Sequence, residues 1–266
     1  MNITDHLTQL LKISQQELQS GERLTQETGA INSGGDHTIG MDTKLENLFI
    51  DYIQSNKIPT DIYSEEIGFI PFQGDAKYLI AFDPLDGSTN YRVGNEFLPY
   101  GSLFAIYQGK EPRLKDIVAA GAYEATQDTT WLFDGKSTKN LKTGKTVKLK
   151  KKVEIKKTTG IYIDLYYHQA FELFNKVADR THIKWNGSNI SSLMYVLTGA
   201  GVMMGAIGMK AEEIGAMTAL ITGAGGIAKK TNGDDLLSEK FNWEGKYPLL
   251  AGVESVVDFV TEKLKK

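Results

Sequence analysis

The chain has no cysteine among its 266 residues. Thiolate nucleophiles, disulfides and cysteine-ligated zinc are excluded outright. Histidine is scarce as well. His6, His37, His168 and His182 are the full set, and no two form a close metal-ligand pair. A histidine-led hydrolase or zinc site is therefore disfavoured, and hydrolytic chemistry here has to lean on carboxylates, hydroxyls and a hard metal. The sequence also lacks any apolar run long enough to span a bilayer. Met1–His6 lacks the basic start and apolar core of a secretory signal, so the expectation is a cytoplasmic protein with no membrane partner. A net charge of -3 supplies no positive field to draw the chain to nucleic acid.

What is present is an ordinary globular composition, 41% hydrophobic and 24% charged. No repeat and no Pro- or Ser-rich linker divides it. Ile3, Leu7, Leu10, Leu11 and Leu18 recur at helical spacing and predict a helix over 3–27. Asn32 to Gly40 reads as a polar, glycine-rich loop. A second helix follows, its start marked by a Thr43–Glu46 capping box. Between 60 and 135 the period shortens, predicting strands at Asp61–Tyr63, Tyr78–Phe82, Gly101–Tyr107, Ile117–Tyr123 and Thr130–Phe133. The lysine-rich Lys136–Lys157 has no interleaved aromatics and reads as a solvated hairpin or lysine-protected edge strand.

After 158 strand and helix alternate. A strand is expected at Gly160–Asp164, with helices at Gln169–Arg180, Ser188–Leu197 and Glu213–Thr222. Gly225–Ala228 enters another strand, followed by Leu249–Val253 and a final helix at Ser255–Lys265. This pattern predicts a sheet covered by helices on both faces. The expected fold class is α/β, with an α+β half over 1–155 and an α/β half over 156–266 that completes the site.

The chemistry-bearing residues are acidic. Glu65-Glu66 follows one predicted strand, and Asp83-Pro84-Leu85-Asp86-Gly87-Ser88-Thr89-Asn90 follows the most hydrophobic one. These acids stand where a buried sheet opens to solvent. Pro84 stiffens the turn, and Gly87 permits close approach of a ligand to the backbone. Magnesium takes oxygen ligands in octahedral geometry, often carboxylates plus substrate phosphate, and a two-acid turn with Glu65 could supply them. By itself, Asp-Pro-x-Asp-Gly is also the string of a plain surface turn.

The string Asp83 to Asn90 resembles the metal-binding signature of the inositol monophosphatase superfamily, closest to archaeal inositol monophosphatase/fructose-1,6-bisphosphatase enzymes. Ser64–Gly68 resembles its upstream acidic motif, and Gly34-Gly35-Asp36 through Asp42 its flexible loop and following helix start. Trp185-Asn186-Gly187-Ser188 and Ala211–Gly226 resemble its C-terminal motifs. The resemblance implies a layered αβαβα sandwich, usually a homodimer, and Mg2+-dependent hydrolysis of a small sugar or polyol phosphate by activated water. It implies two or three Mg2+ ions held by Glu65, Asp83, the Leu85 carbonyl, Asp86 and an acid on a later helix. Ser88 and Asp42 then match the pair that orients water, and Gly87, Ser88 and Thr89 the phosphate-binding turn. Asp42 also reads simply as an acid at a helix N-terminus.

Two departures from the pattern are visible. The family's late metal-binding Asp falls on Glu213, which adds a methylene, and its preceding Trp falls on Glu212. Both also read as acids favouring a helix start. Gly199 to Met209 carries no acid where the inositol phosphatases hold substrate hydroxyls; Val202 and Ala206 stand there instead. Lys184 stands where Arg is frequent and could meet a second phosphate, or simply face solvent. The glycine strings do not fit a GxGxxG or P-loop spacing. The rival to an enzyme is a catalytically silent relative that binds phosphorylated metabolites.

Overall fold

The computed structural model describes residues 1–266 except Met1, Ser33, Gly34, Asp36, Asn95 and Glu96. Helix α1 (Ile3–Leu18) buries Leu7, Leu10, Leu11 and Leu18 along one stripe. Asn2 caps it reciprocally with Asp5: the Asp5 N–H donates to the Asn2 side chain at 2.8 Å, and the Asn2 N–H to the Asp5 carboxylate at 3.0 Å. The helix is shorter than the expected 3–27, ending with its apolar pattern at Leu18, and Gly21 takes a left-handed φ of 80° just beyond it. The residues that follow form β1 (Glu27–Ile31), which pairs antiparallel with β2 (His37–Ile39) across the segment expected to be only loop.

Helix α2 (Gly40–Ser55) starts differently from the expected Thr43–Glu46 box. Asp42 accepts the Ile39 N–H at 2.8 Å. Glu46 is turned inward, where it accepts the Ser64 hydroxyl and, at 3.1 Å, the Ile67 N–H. Beyond it come β3 (Thr60–Ser64), β4 (Gly68–Ile70), β5 (Tyr78–Asp86), the short α3 (Ser88–Val93), β6 (Gly101–Gln108), β7 (Ile117–Glu124) and β8 (Thr129–Phe133). The lysine-rich stretch supplies β9 (Thr138–Asn140) and β10 (Lys145–Thr146), an edge hairpin as its composition suggested. These strands form one eight-stranded sheet in the order β10-β9-β8-β7-β6-β5-β3-β4, in which only β3 and β5 run parallel.

A second sheet follows from β11 (Gly160–Ile163), α4 (His168–Phe174), β12 (His182–Lys184), α5 (Asn189–Thr198) and β13 (Met203–Lys210). Helix α6 (Ala211–Gly223), β14 (Ile227–Lys229), β15 (Lys246–Gly252) and α7 (Glu254–Leu264) complete it. Its order is β12-β11-β13-β15-β14. β13, its central strand, was not legible in the glycine- and methionine-rich Gly199–Met209 stretch. A strand buried on both faces shows no polar alternation.

Three apolar layers hold these elements in an αβαβα stack. Phe49 of α2 meets Phe82 and Phe104 of the large sheet edge-on, at ring-centroid distances of 5.6 and 4.9 Å, in the outer layer with α1. Between the sheets, α5 and α6 bury Ile190, Leu193, Ile214, Met217, Leu220 and Ile221 against both. α4 and α7 cover the far face of the small sheet through Phe174, Val256, Val257 and Val260. Each such large side chain contributes about 1.5–3 kcal/mol by leaving water. No helix among the described residues is long and apolar enough to cross a membrane.

Candidate active site

Strand β5 carries the site at its end. In a regular strand, residues 83 and 86 would point to opposite faces, because side chains alternate. Here the interval Asp83–Asp86 on β5 lies opposite the shorter interval Leu103–Gly101 on β6. The extra residue is a bulge that breaks the alternation. Pro84 fits there because it has no N–H to give to the ladder, and its carbonyl accepts the Ser102 hydroxyl at 2.7 Å. Asp83, Leu85 and Asp86 thereby all border one cleft of about 490 Å³.

Gly87 ends the turn with φ 82°, a left-handed conformation that a side chain resists. A Cβ there would come within 2.8 Å of the Ser188 Cβ and 3.1 Å of the Pro99 carbonyl oxygen. Asn90 fixes the turn from below, donating to the Pro99 and Asn186 carbonyls at 2.8 Å each. The Trp185–Ser188 segment is thus tied to the Asp83–Asn90 segment, and Trp185, Gly187 and Ser188 border the same cleft.

Asp83, Asp86 and Glu213 have carboxylate oxygens within 4.8 Å of one another, and all three are buried. Asp83 also accepts the Leu85 N–H at 2.9 Å. Asp86 accepts the Ile190 and Asn189 N–H groups at 2.6 and 3.2 Å, at the start of α5. Glu213 accepts the Asn189 amide at 2.9 Å. Its extra methylene therefore does not keep it from the cluster.

Burial pushes these acids up. Asp86 is raised to about 7, even though the two α5 N–H groups pull it down. Asp83 and Glu213 are raised well above the carboxylate range by burial and then by neighbouring acids, Glu65 first for Asp83 and Asp86 first for Glu213. Three such groups repel one another unless protons or a cation intervene. An all-oxygen, buried, converging set is what a hard divalent ion takes.

Glu65 stands beside this trio rather than in it. Its Oε1 accepts from the Lys210 ammonium at 2.7 Å and the Asn32 amide at 3.0 Å. Asp42 and Glu66 line the same cleft. Burial raises Asp42 to about 8 against the Ile39 N–H bond, and Glu66 to about 7 against a bond from the Thr38 hydroxyl. Ser88 and Thr89 line it too, Ser88 half-buried and Thr89 exposed.

Lys184 is the one expected site residue that the structure does not bring here. It lies on edge strand β12 with its ammonium 5.7 Å above the Tyr162 ring. Of the loop read from Gly34-Gly35-Asp36, Gly34 and Asp36 lie outside the described residues. The substrate positions placed at Val202 and Ala206 are elsewhere too: Ala206 is buried in the β13–β15 ladder, and Val202 packs on the far side of the small sheet.

Asp164, Asn189 and Lys210 are among the cleft residues not singled out from the sequence. Asp164 directly follows strand β11, just as Asp83 follows a hydrophobic run, so the same signal was there to read. Asn189 follows the Trp185–Ser188 motif. Lys210 lies one residue beyond the stretch judged poor in acids.

Comparison with known proteins agrees with this architecture. The family model "Fructose-1-6-bisphosphatase, N-terminal domain" matches residues 1–146. The class 1 fructose-1,6-bisphosphatase of Polynucleobacter necessarius is 25% identical over 252 residues, covering 79% of this chain and 73% of that relative. Matches to two further curated fructose-1,6-bisphosphatases are local, covering 25% and 29% of their lengths. Among solved structures, the extragenic suppressor protein suhB from Bartonella henselae superposes with a TM-score of 0.81 at 18% identity, covering 99% of this chain and 98% of that one. The MJ0109 gene product, an inositol monophosphatase-fructose 1,6 bisphosphatase, gives 0.78 at 20% identity, covering 99% and 100%. With the fold shared over its whole length and the family model matching more than half of it, the chain belongs to the fructose-1,6-bisphosphatase family of phosphoric monoester hydrolases.

Proposed function

We propose that this chain is a Mg2+-dependent phosphomonoesterase acting on a small sugar or polyol phosphate, fructose 1,6-bisphosphate or inositol 1-phosphate. The observation that carries the reading is the buried Asp83, Asp86 and Glu213 trio, set beside the Gly87–Ser88 turn in one cleft. These carboxylates, with the Leu85 carbonyl, would hold the Mg2+ ions, and Glu65 borders them. Bound there, Mg2+ would activate the attacking water and offset charge on the phosphate.

The chain's own groups do the rest. The backbone N–H groups of Gly87 and Ser88 hold and orient the phosphoryl oxygens, with the Thr89 hydroxyl at the open edge. Ser88 Oγ and the Asp42 carboxylate, which border the same cleft, orient water. Asp42, raised to about 8 by burial, holds or releases a proton near neutral pH, the range useful for passing one from water. Assembly as a homodimer belongs to the same proposal and rests on the family resemblance.

A panel of fructose 1,6-bisphosphate, inositol 1-phosphate and adenosine 3′,5′-bisphosphate, assayed for phosphate release with Mg2+, tests the reading. Turnover of either of the first two supports it. Turnover confined to the adenosine compound, or none at all, overturns the substrate class.

A further inference from the structure

Strand β13 has a bulge of its own. The interval Ala206–Met209 lies opposite the shorter Leu249–Tyr247 interval on β15, and Gly208 within the break and Lys210 beyond it both line the cleft. The bulge turns Lys210 away from the small sheet and toward a carboxylate 145 residues earlier in the chain. Its ammonium lies 2.7 Å from Glu65 Oε1, and the side chain is only 25% exposed.

That oxygen is already crowded. It accepts from Asn32 at 3.0 Å as well as from Lys210. Glu65 is also the one expected carboxylate ligand standing outside the trio of converging carboxylates. Glu65, Glu213 and Glu212 all act electrostatically on the lysine. A positive charge thus occupies the side of the acidic cleft where an incoming cation would meet Glu65.

We propose that Lys210 is a resident counter-ion that competes with a divalent cation for Glu65, weakening metal loading on that side of the cleft. The inference rests on the metal-dependent reading given above. An ammonium at hydrogen-bond distance shares the carboxylate with any metal bound there, and two cations sharing one carboxylate repel each other. Loading Glu65 with a divalent ion therefore works against the Lys210 charge held 2.7 Å from its Oε1. Lys210 is thus a positioning residue, acting through Glu65.

The experiment is a Mn2+ titration followed by the electron paramagnetic resonance signal of the free ion. It uses wild type, Lys210→Met, Lys210→Arg, Glu65→Gln and the Lys210→Met/Glu65→Gln double variant. Lys210→Met should bind its weakest ion about tenfold more tightly, the order expected when a like charge a few ångströms away is removed. Lys210→Arg, which keeps the charge, should stay near wild type. With Glu65→Gln already in place, Lys210→Met should add nothing. Thermal melts in chelator establish that each variant is folded, and Lys210→Gln replaces Lys210→Met if the latter is not.

Unchanged or weaker binding by Lys210→Met overturns the inference while leaving the metal reading intact. Tighter binding that persists without Glu65 overturns it as well. Absence of Mn2+ binding by wild type overturns the metal reading and this inference together.

Discussion

The carboxylate of Asp86 accepts the backbone N–H of Ile190 at 2.6 Å, joining the end of β5 in the large sheet to the first turn of α5 between the sheets. With the Asn189 bond at 3.2 Å, this ties the position of one cluster acid to the packing of α5. The partial positive charge of a helix start favours an anion there. Asp86 accordingly stays near 7, while its neighbours Asp83 and Glu213 lack such donors from a helix start and are raised well above their ordinary range.

Asp83→Asn should therefore stop Mg2+-dependent turnover without unfolding the protein. Asp83 is fully buried among acids that disfavour its charge, so a neutral amide of the same shape should change metal-free stability by no more than about 1 kcal/mol, or about 2–4 °C in Tm. Phosphate release and a melt in chelator check both halves. Near-normal turnover would remove Asp83 from the site.

The metal-free protein should lose stability as pH rises. Asp42 is raised to about 8, and Glu66, Asp86 and Glu212 to about 7, in each case chiefly by burial. The fold thus holds protons that the unfolded chain releases. This contribution is complete below about pH 4, the ordinary carboxylate range, and disappears as pH climbs through 7 to 8. Melting in chelator between pH 5 and 9 should show Tm falling by more than about 5 °C. Mg2+ should restore more of it at the alkaline end, because its ligands must be deprotonated. A Tm that rises with pH in chelator would contradict this.

Glu213 and Glu212 are adjacent, yet only Glu213 converges with Asp83 and Asp86. Glu212 is buried against the Tyr63 hydroxyl. Glu213→Gln should raise the Mg2+ requirement about tenfold or more, or stop turnover, while Glu212→Gln should leave it near wild type. Titration of Mg2+ at fixed substrate separates the two. Equal behaviour of both variants would take Glu213 out of the ligand set.

Gly87→Ala should cost about 1–3 kcal/mol of stability, the scale of a residue forced into left-handed backbone. The new methyl would also meet Ser188 and Pro99, pushing the phosphate-holding amides out of place, so KM should rise as well. A variant with unchanged Tm and KM would show that the turn relaxes freely.

Much of this site was legible because its chemistry is local in sequence. Asp83 to Asn90 announces itself as acids and a glycine after a hydrophobic strand, and Glu65 follows β3 in the same way. What the sequence could not display was the pair of bulges. They depend on how β5 meets β6 and β13 meets β15, and they decide which way Asp83, Asp86 and Lys210 point. The expected capping box at Thr43 failed for a related reason: Glu46 finds Ser64 and Ile67, partners about twenty residues away that local spacing does not reveal. Lys184 was misplaced because an edge strand and its aromatic neighbour, Tyr162, come together only in the folded sheet.

The central claim is metal-dependent hydrolysis at the Asp83, Asp86 and Glu213 cluster. Its most direct test is phosphate release from fructose 1,6-bisphosphate and inositol 1-phosphate by the purified chain, first in chelator and then with Mg2+ added back. The account predicts no turnover in chelator, steady turnover with Mg2+ on at least one of the two esters, and none with Mg2+ in Asp83→Asn. Turnover that persists in chelator, or wild-type protein that binds either ester with Mg2+ yet releases no phosphate, would contradict it.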